Sequence, residues 1–170
     1  PTNPRSLNAL IPESLAQKLL TCLNKDPDQR YLSAEAFRLD LEKELENADL
    51  YLAQGLEHVH HEEWKDANHC FQQAVAINGT LSEAWYHLGE SLQHLDQPRA
   101  AIECFLKVIQ QDSSHVRAYR ELGEAYARSG NLPAASKMLS RAWTLDPRDR
   151  DLCLSLARIQ RESGQFQEAA

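Results

Sequence analysis

Between residues 82 and 111 the apolar side chains recur at helical spacing. Trp85, Leu88 and Leu92 mark one stripe, and Ala101, Phe105 and Val108 mark a second, which predicts two amphipathic helices. The pattern then repeats. At a period of 34 residues "YLAQGLEH" from Tyr51, "WYHLGESL" from Trp85, "YRELGEAY" from Tyr119 and "CLSLARIQ" from Cys153 fall into register. Downstream of each opening come a small column at Ala67, Ala101, Ala135 and Ala169, a bulky one at Phe71, Phe105 and Leu139, and a third at Ala74, Val108 and Ala142. A fixed period of this length is the signature of stacked helix pairs.

Turn chemistry divides each unit. "SGN" at 129–131 and "SGQ" at 163–165 separate the two helices, with Gly130 and Gly164 placed to take the left-handed conformation that closes the first one. Asp146-Pro147 stops the helix between units, because proline lacks the donor and pushes its predecessor out of helical geometry. Gly55, Gly89 and Gly123 let paired helices approach, with the alanine column opposite and the large side chains filling the remaining space.

These columns resemble the tetratricopeptide repeat (TPR) family in pattern and period. The resemblance implies an all-α fold, a TPR-type α-solenoid of antiparallel helix pairs, with units at 48–81, 82–115 and 116–149 and a truncated fourth at 150–170. The first unit departs from the pattern at Gln54 and His58, and the fourth at Cys153, Ala157 and Gln160. Trp85 is expected to be a buried packing residue.

Upstream the period does not extend. Residues 12–24 predict a helix with Pro12 in its first turn and Leu15, Leu19, Leu20 and Leu23 on one face. Ser33 is a candidate cap for a helix over 34–46. No proline and a single glycine, Gly55, lie between Ser33 and His61, so this helix is expected to run with little or no break into the first repeat helix at 48–60.

The stretch "LAQKLLTCLNKDPDQRYLSAEAF" resembles the last helices of the large lobe of Ser/Thr protein kinases, above all bacterial kinases of eukaryotic type, in which repeat arrays often follow the catalytic domain. The likeness covers residues 11–45 and makes residues 1–46 a partial kinase-like lobe ahead of an array at 47–170. It implies that Arg30 is a structural residue, matching an arginine that pairs with an activation-segment glutamate upstream of this chain. Without that partner Arg30 should be solvated or re-paired. The glycine-rich loop, Val-Ala-Ile-Lys strand, His-Arg-Asp loop and Asp-Phe-Gly motif of kinases are absent from the sequence, so catalytic residues are none here. ATP and Mg would belong to the parent enzyme, and this segment calls for no cofactor.

Charge narrows the partners. The net charge is −7, with 9 Lys/Arg against 17 Asp/Glu in residues 1–111 and 9 against 8 in 112–170. That balance argues against nucleic acid or an anionic membrane and for a protein surface of mixed sign. No apolar run reaches the roughly 18 residues of a membrane span.

Cys22, Cys70, Cys104 and Cys153 include no CxxC pair, which fits a reducing, cytoplasmic setting. Cys70 and Cys104 stand 34 residues apart with Met138 next in the column, so they read as small packing residues.

The His-rich run "HVHHEEWKDANHC" suggests a metal site. Register argues for none, because His60 and His61 end a helix and His58 takes a packing column.

Binding is expected on the concave face lined by the first helices: Tyr86, Glu90 and Gln93, then Arg117, Arg120, Glu124 and Arg128, then Arg158 and Arg161. Such a face holds a peptide or helix of another protein. The lysine-asparagine clamp that some TPR proteins use for a chaperone's terminal carboxylate is not matched, since Tyr86 and Glu90, then Arg120 and Glu124, stand at those columns. Leu52, Leu56 and Val59 occupy the same columns in the first unit and should be covered by the 34–46 helix or its neighbour, or else bind an apolar anchor.

The leading expectation is a protein-interaction segment of a Ser/Thr kinase that recruits a substrate or regulator. The alternative is a non-enzymatic scaffold whose N-terminal helices cap the array. With proline at residue 1 and an unfinished last unit, the chain reads as part of a longer one whose apolar C-terminal edge would self-associate or fray.

Overall fold

A computed structural model describes residues 3–6, 13–162 and 164. Pro12, Gln165 and Ala169, and with them the expected end of the fourth unit, lie outside the described residues. The described chain is all helical. After short 3-10 turns at Pro4–Ser6 and, later, Pro27–Gln29, the helices are α1 (Glu13–Cys22), α2 (Ala34–His60), α3 (Trp64–Ile77), α4 (Ser82–His94), α5 (Pro98–Gln111), α6 (Val116–Arg128), α7 (Leu132–Leu145) and α8 (Arg150–Glu162).

The turn between α1 and α2 is built locally. The Asp26 carboxylate accepts from the Asp28 amide at 3.1 Å, and the Ser33 hydroxyl accepts from the Ala36 amide at 3.1 Å to open α2. From there α2 runs unbroken for 27 residues, so the expected helical junction at Glu46 to Ala48 is present. A continuous helix of this length cannot fold its first half over its second. Leu52, Leu56 and Val59 therefore take no cover from residues 34–46; they pack into the core shared with α3 and α4.

The repeat columns form that core. Ala67, Ala101, Ala135, Phe71, Phe105, Leu139, Ala74, Val108 and Ala142 are all fully buried. Each glycine column member lies against its bulky partner: an ideal Cβ on Gly55, Gly89 or Gly123 would come within 2.4 Å of Phe71, 2.6 Å of Phe105 or 2.7 Å of Leu139. Cys70 and Cys104 are buried free thiols, and burial pushes the Cys104 thiol up to about 12. Trp85 is only partly buried; its indole Nε1 donates to the Gly79 carbonyl at 2.9 Å.

Each first helix closes on a left-handed residue. Gly130 (φ 83) and Gly164 (φ 78) behave as expected, and the same column holds Glu62 (φ 60) and Asp96 (φ 58) in the first two units. Asn78, Asp112 and Asp146 form the matching column between units. Each of these side chains accepts from the backbone amide two residues on, at 3.1, 2.9 and 3.1 Å respectively.

The N-terminal side of the array is open to solvent. Ala84 and Leu88 in α4, like Ala118 and Leu122 in α6, are buried beneath the preceding unit. Their counterparts in α2, Leu50 and Gln54, are exposed, Leu50 by 54%. In α1 Ala16 is buried, whereas Leu23, just past the helix end, faces solvent and does not complete the expected apolar stripe. Among the described residues no helix is long and apolar enough to cross a membrane.

Candidate concave interaction surface

The first helices touch one another directly, α2 with α4, α4 with α6 and α6 with α8, so their inward faces form one continuous strip. Two predicted members of it are not available to a ligand. Tyr86 is 3% exposed and Gln93 7%. The Tyr86 ring stacks on His115 (centroids 5.4 Å apart), lies near Phe105 (5.9 Å) and carries Arg117 5.0 Å above it. Burial, reinforced by the carboxylates of Glu90 and Glu121, pushes its hydroxyl well above the ordinary tyrosine range. Gln93 is buried because it bridges helices: its Nε2 donates to the backbone oxygen of Glu121 at 3.2 Å and to Oε2 of the same residue at 3.3 Å.

Three of the arginines bond to residues of their own or neighbouring units. Arg120 pairs with Glu121 at 3.2 Å and reaches Asp149 at 3.7 Å. Arg128 donates to the Gln93 carbonyl at 3.1 Å. Arg158 pairs with Glu124, 34 residues away in the preceding unit. Glu90, half-buried, bonds His87 at 2.7 Å. Although burial alone would raise the Glu90 carboxyl, hydrogen bonds from His87 and Tyr86 hold it below the usual carboxylate range. Glu121 goes the other way: burial, with Glu90 and Glu124 nearby, raises it despite Arg120.

Arg117, Arg128, Arg158 and Arg161 remain exposed, and Glu90, Arg120 and Glu124 are half-buried. Glu121 and Asp149, which pair with Arg120, lie outside the expected columns, while Leu154, 34 residues after Arg120 in the same column, stands 70% exposed. Position along a helix identifies a face, whereas the reach of long side chains from the next unit decides what on that face stays open.

Arg30 is exposed and re-paired, its guanidinium donating to the carbonyls of Asn24 and Lys25. The histidine run does not converge as a whole. His60 and His61 are exposed and stand apart from any cluster, but His58, Glu63 and Asp66 bring ligand atoms within 4.8 Å of one another, with His58 Nδ1 2.6 Å from Glu63. His58 is free to do this because its packing column is half-open in the first unit. The His58–Glu63 pair and the favourable placement of carboxylates at the start of α3 account for the grouping without an ion.

Residues 88–150 match the model of the tetratricopeptide repeat family. Protein NPGR1 of Arabidopsis thaliana is 28% identical over 109 residues, 63% of this chain and 16% of that protein; the chain thus spans about a sixth of that relative's length. Among solved structures, MamA superimposes with a TM-score of 0.71 at 23% identity, covering 79% of each chain. The first TPR domain of Spaghetti (RPAP3), bound to the HSP90 peptide SRMEEVD, does so with a TM-score of 0.68 at 16% identity, covering 70% of this chain and 94% of that one. The paired helices, their 34-residue register and these likenesses agree: the array formed by this chain is a TPR-type α-solenoid.

Proposed function

We propose that this chain is a protein-interaction segment whose concave face holds an extended peptide of a partner protein. The observation that carries the reading is the continuous strip across α4, α6 and α8, where exposed Arg117, Arg128, Arg158 and Arg161 alternate with half-buried carboxylates. Because Arg120 and Arg158 are already paired, the surface suits a ligand of mixed charge that exchanges pairs, and a plain polyanion fits it less well. The peptide-bound TPR domain of RPAP3 uses the same architecture. Binding here would tether a partner and raise its local concentration.

The finer reading is that the partner is a substrate or regulator of a Ser/Thr kinase to which residues 1–46 belong. It rests on the helix, Lys-Asp-Pro turn, Arg30 and Ser33-capped helix order. A scaffold without kinase activity is the alternative. Sequence upstream of Pro1 separates them: Asp-Phe-Gly and Ala-Pro-Glu motifs within about 100 residues support the kinase, and their absence leaves the scaffold. The four free cysteines fit a cytoplasmic setting.

The interaction itself is tested by affinity capture with Arg158→Glu/Arg161→Glu, both on exposed positions. Loss of the wild-type partners is expected. Undiminished capture moves the site off the concave face.

A further inference from the structure

The turn between the first and second units contains the one Asn-Gly step in the chain, Asn78-Gly79. We propose that Asn78 is a site of spontaneous deamidation whose two products act differently on the junction between these units.

The reaction needs an asparagine side chain that can meet the following backbone nitrogen. Asn78 has left helical geometry (φ −125, ψ 88), and Gly79 carries no side chain to shield its nitrogen. An ideal Cβ there would meet only the Val75 carbonyl, at 3.7 Å. The Asn78 Oδ1 accepts two hydrogen bonds, from the Thr80 amide at 3.1 Å and the Thr80 hydroxyl at 2.7 Å. Donors aimed at a carbonyl oxygen stabilise the negative charge that gathers on it when the carbon is attacked.

The deprotonated Gly79 nitrogen bonds to Asn78 Cγ, the Cγ–Nδ2 bond breaks, and Nδ2 leaves as ammonia, giving a succinimide. Water then opens either carbonyl of the ring. One product is aspartate; the other is isoaspartate, in which the backbone runs through the former side chain. One water is consumed, one ammonia is released, and nothing is oxidised or reduced.

The sister turns show what the first product does. Asp112 (φ −134, ψ 100) and Asp146 (φ −134, ψ 89) hold nearly the same backbone as Asn78 and make the same bond to the amide two residues on. Aspartate at 78 is therefore silent. Isoaspartate lengthens the main chain by one carbon between Asn78 and Gly79. The Gly79 carbonyl accepts from Trp85 Nε1 and from Gln111 Nε2, both at 2.9 Å, so moving it breaks both bonds that tie α4 and α5 to this turn and loosens the junction.

The 170-residue protein is incubated at neutral and mildly alkaline pH and followed by peptide mapping, with isoaspartyl methyltransferase labelling to separate the products. Asn78 should react well ahead of Asn24, Asn47, Asn68 and Asn131, and faster at the higher pH. Gly79→Ala, which the space and backbone at 79 accept, should slow it several-fold. Thr80→Val should slow it and Thr80→Ser should not. Asn78 reacting no faster than the other asparagines overturns the proposal, and a Thr80→Val rate equal to wild type overturns the role of the hydroxyl. Isoaspartate-rich protein should melt below Asn78→Asp and show a shifted Trp85 indole N–H resonance. Equal melting and an unmoved resonance overturn the loosening of this junction.

Discussion

A Cβ built on Gly89 would lie 2.6 Å from Cε1 of Phe105, a ring that is itself fully buried. Two opposing effects follow for Gly89→Ala. Helix propensity favours alanine by about 1 kcal/mol, while overpacking a full core costs about 1–3 kcal/mol. Phe105 has no open side to move toward, so the steric cost should win. The urea midpoint of Gly89→Ala is expected to fall, and the loss should shrink in a Phe105→Ala background, because truncation removes the atoms the new methyl would strike. Simple additivity in that double-mutant cycle would separate the two residues.

Much of this packing was legible in the sequence, and the reason is periodicity. Gly55, Gly89 and Gly123 could be matched to Phe71, Phe105 and Leu139 because one register places all three pairs. Tyr86 and Gln93 were misread because their burial depends on Arg117 and Glu121 of α6 and on His115 at its cap reaching over them, which no register encodes. The His58 grouping was missed for a related reason: a packing column loses its meaning where no unit stacks on it.

The left-handed column yields a second prediction. Glu62 and Asp96 adopt φ near that of Gly130 but carry a Cβ, which costs an L-residue roughly 1–2 kcal/mol in this region. Glu62→Gly and Asp96→Gly should each stabilise the protein by about 1 kcal/mol, less the greater chain entropy glycine loses on folding. Gly130→Ala should destabilise by a similar amount. Thermal melts of the three variants check this; a lower melting temperature for Glu62→Gly would mean that its side chain compensates the backbone.

Glu121 predicts a pH dependence. Its carboxyl is raised above the ordinary range by burial and by Glu90 and Glu124, with Arg120 only partly offsetting them. A raised native value means the folded state holds the proton more tightly. The stabilising contribution is complete below the unfolded value of about 4.3 and is lost as pH rises through the higher native value. Glu121→Gln, neutral throughout, should therefore be more stable than wild type at neutral pH, with the advantage vanishing in mild acid. Urea unfolding at both pH values tests this. A variant less stable than wild type at neutral pH would show that the Arg120 pair outweighs burial.

Trp85 separates packing from hydrogen bonding at the first junction. Its ring packs against the core, and its Nε1 donates to the Gly79 carbonyl at 2.9 Å. Trp85→Phe keeps most of the apolar contact and removes the donor, which should cost about 1 kcal/mol for the bond, and somewhat more for the smaller ring. The Gly79 carbonyl keeps its second donor, Gln111 Nε2, so it is not left unsatisfied. Trp85→Ala removes the ring as well and should cost about 3–5 kcal/mol, toward the lower end because the side chain is only partly buried. Chemical denaturation of both variants gives the ratio. If Trp85→Phe proves as damaging as Trp85→Ala, the hydrogen bond to the inter-unit turn, rather than the ring, holds the first unit to the second.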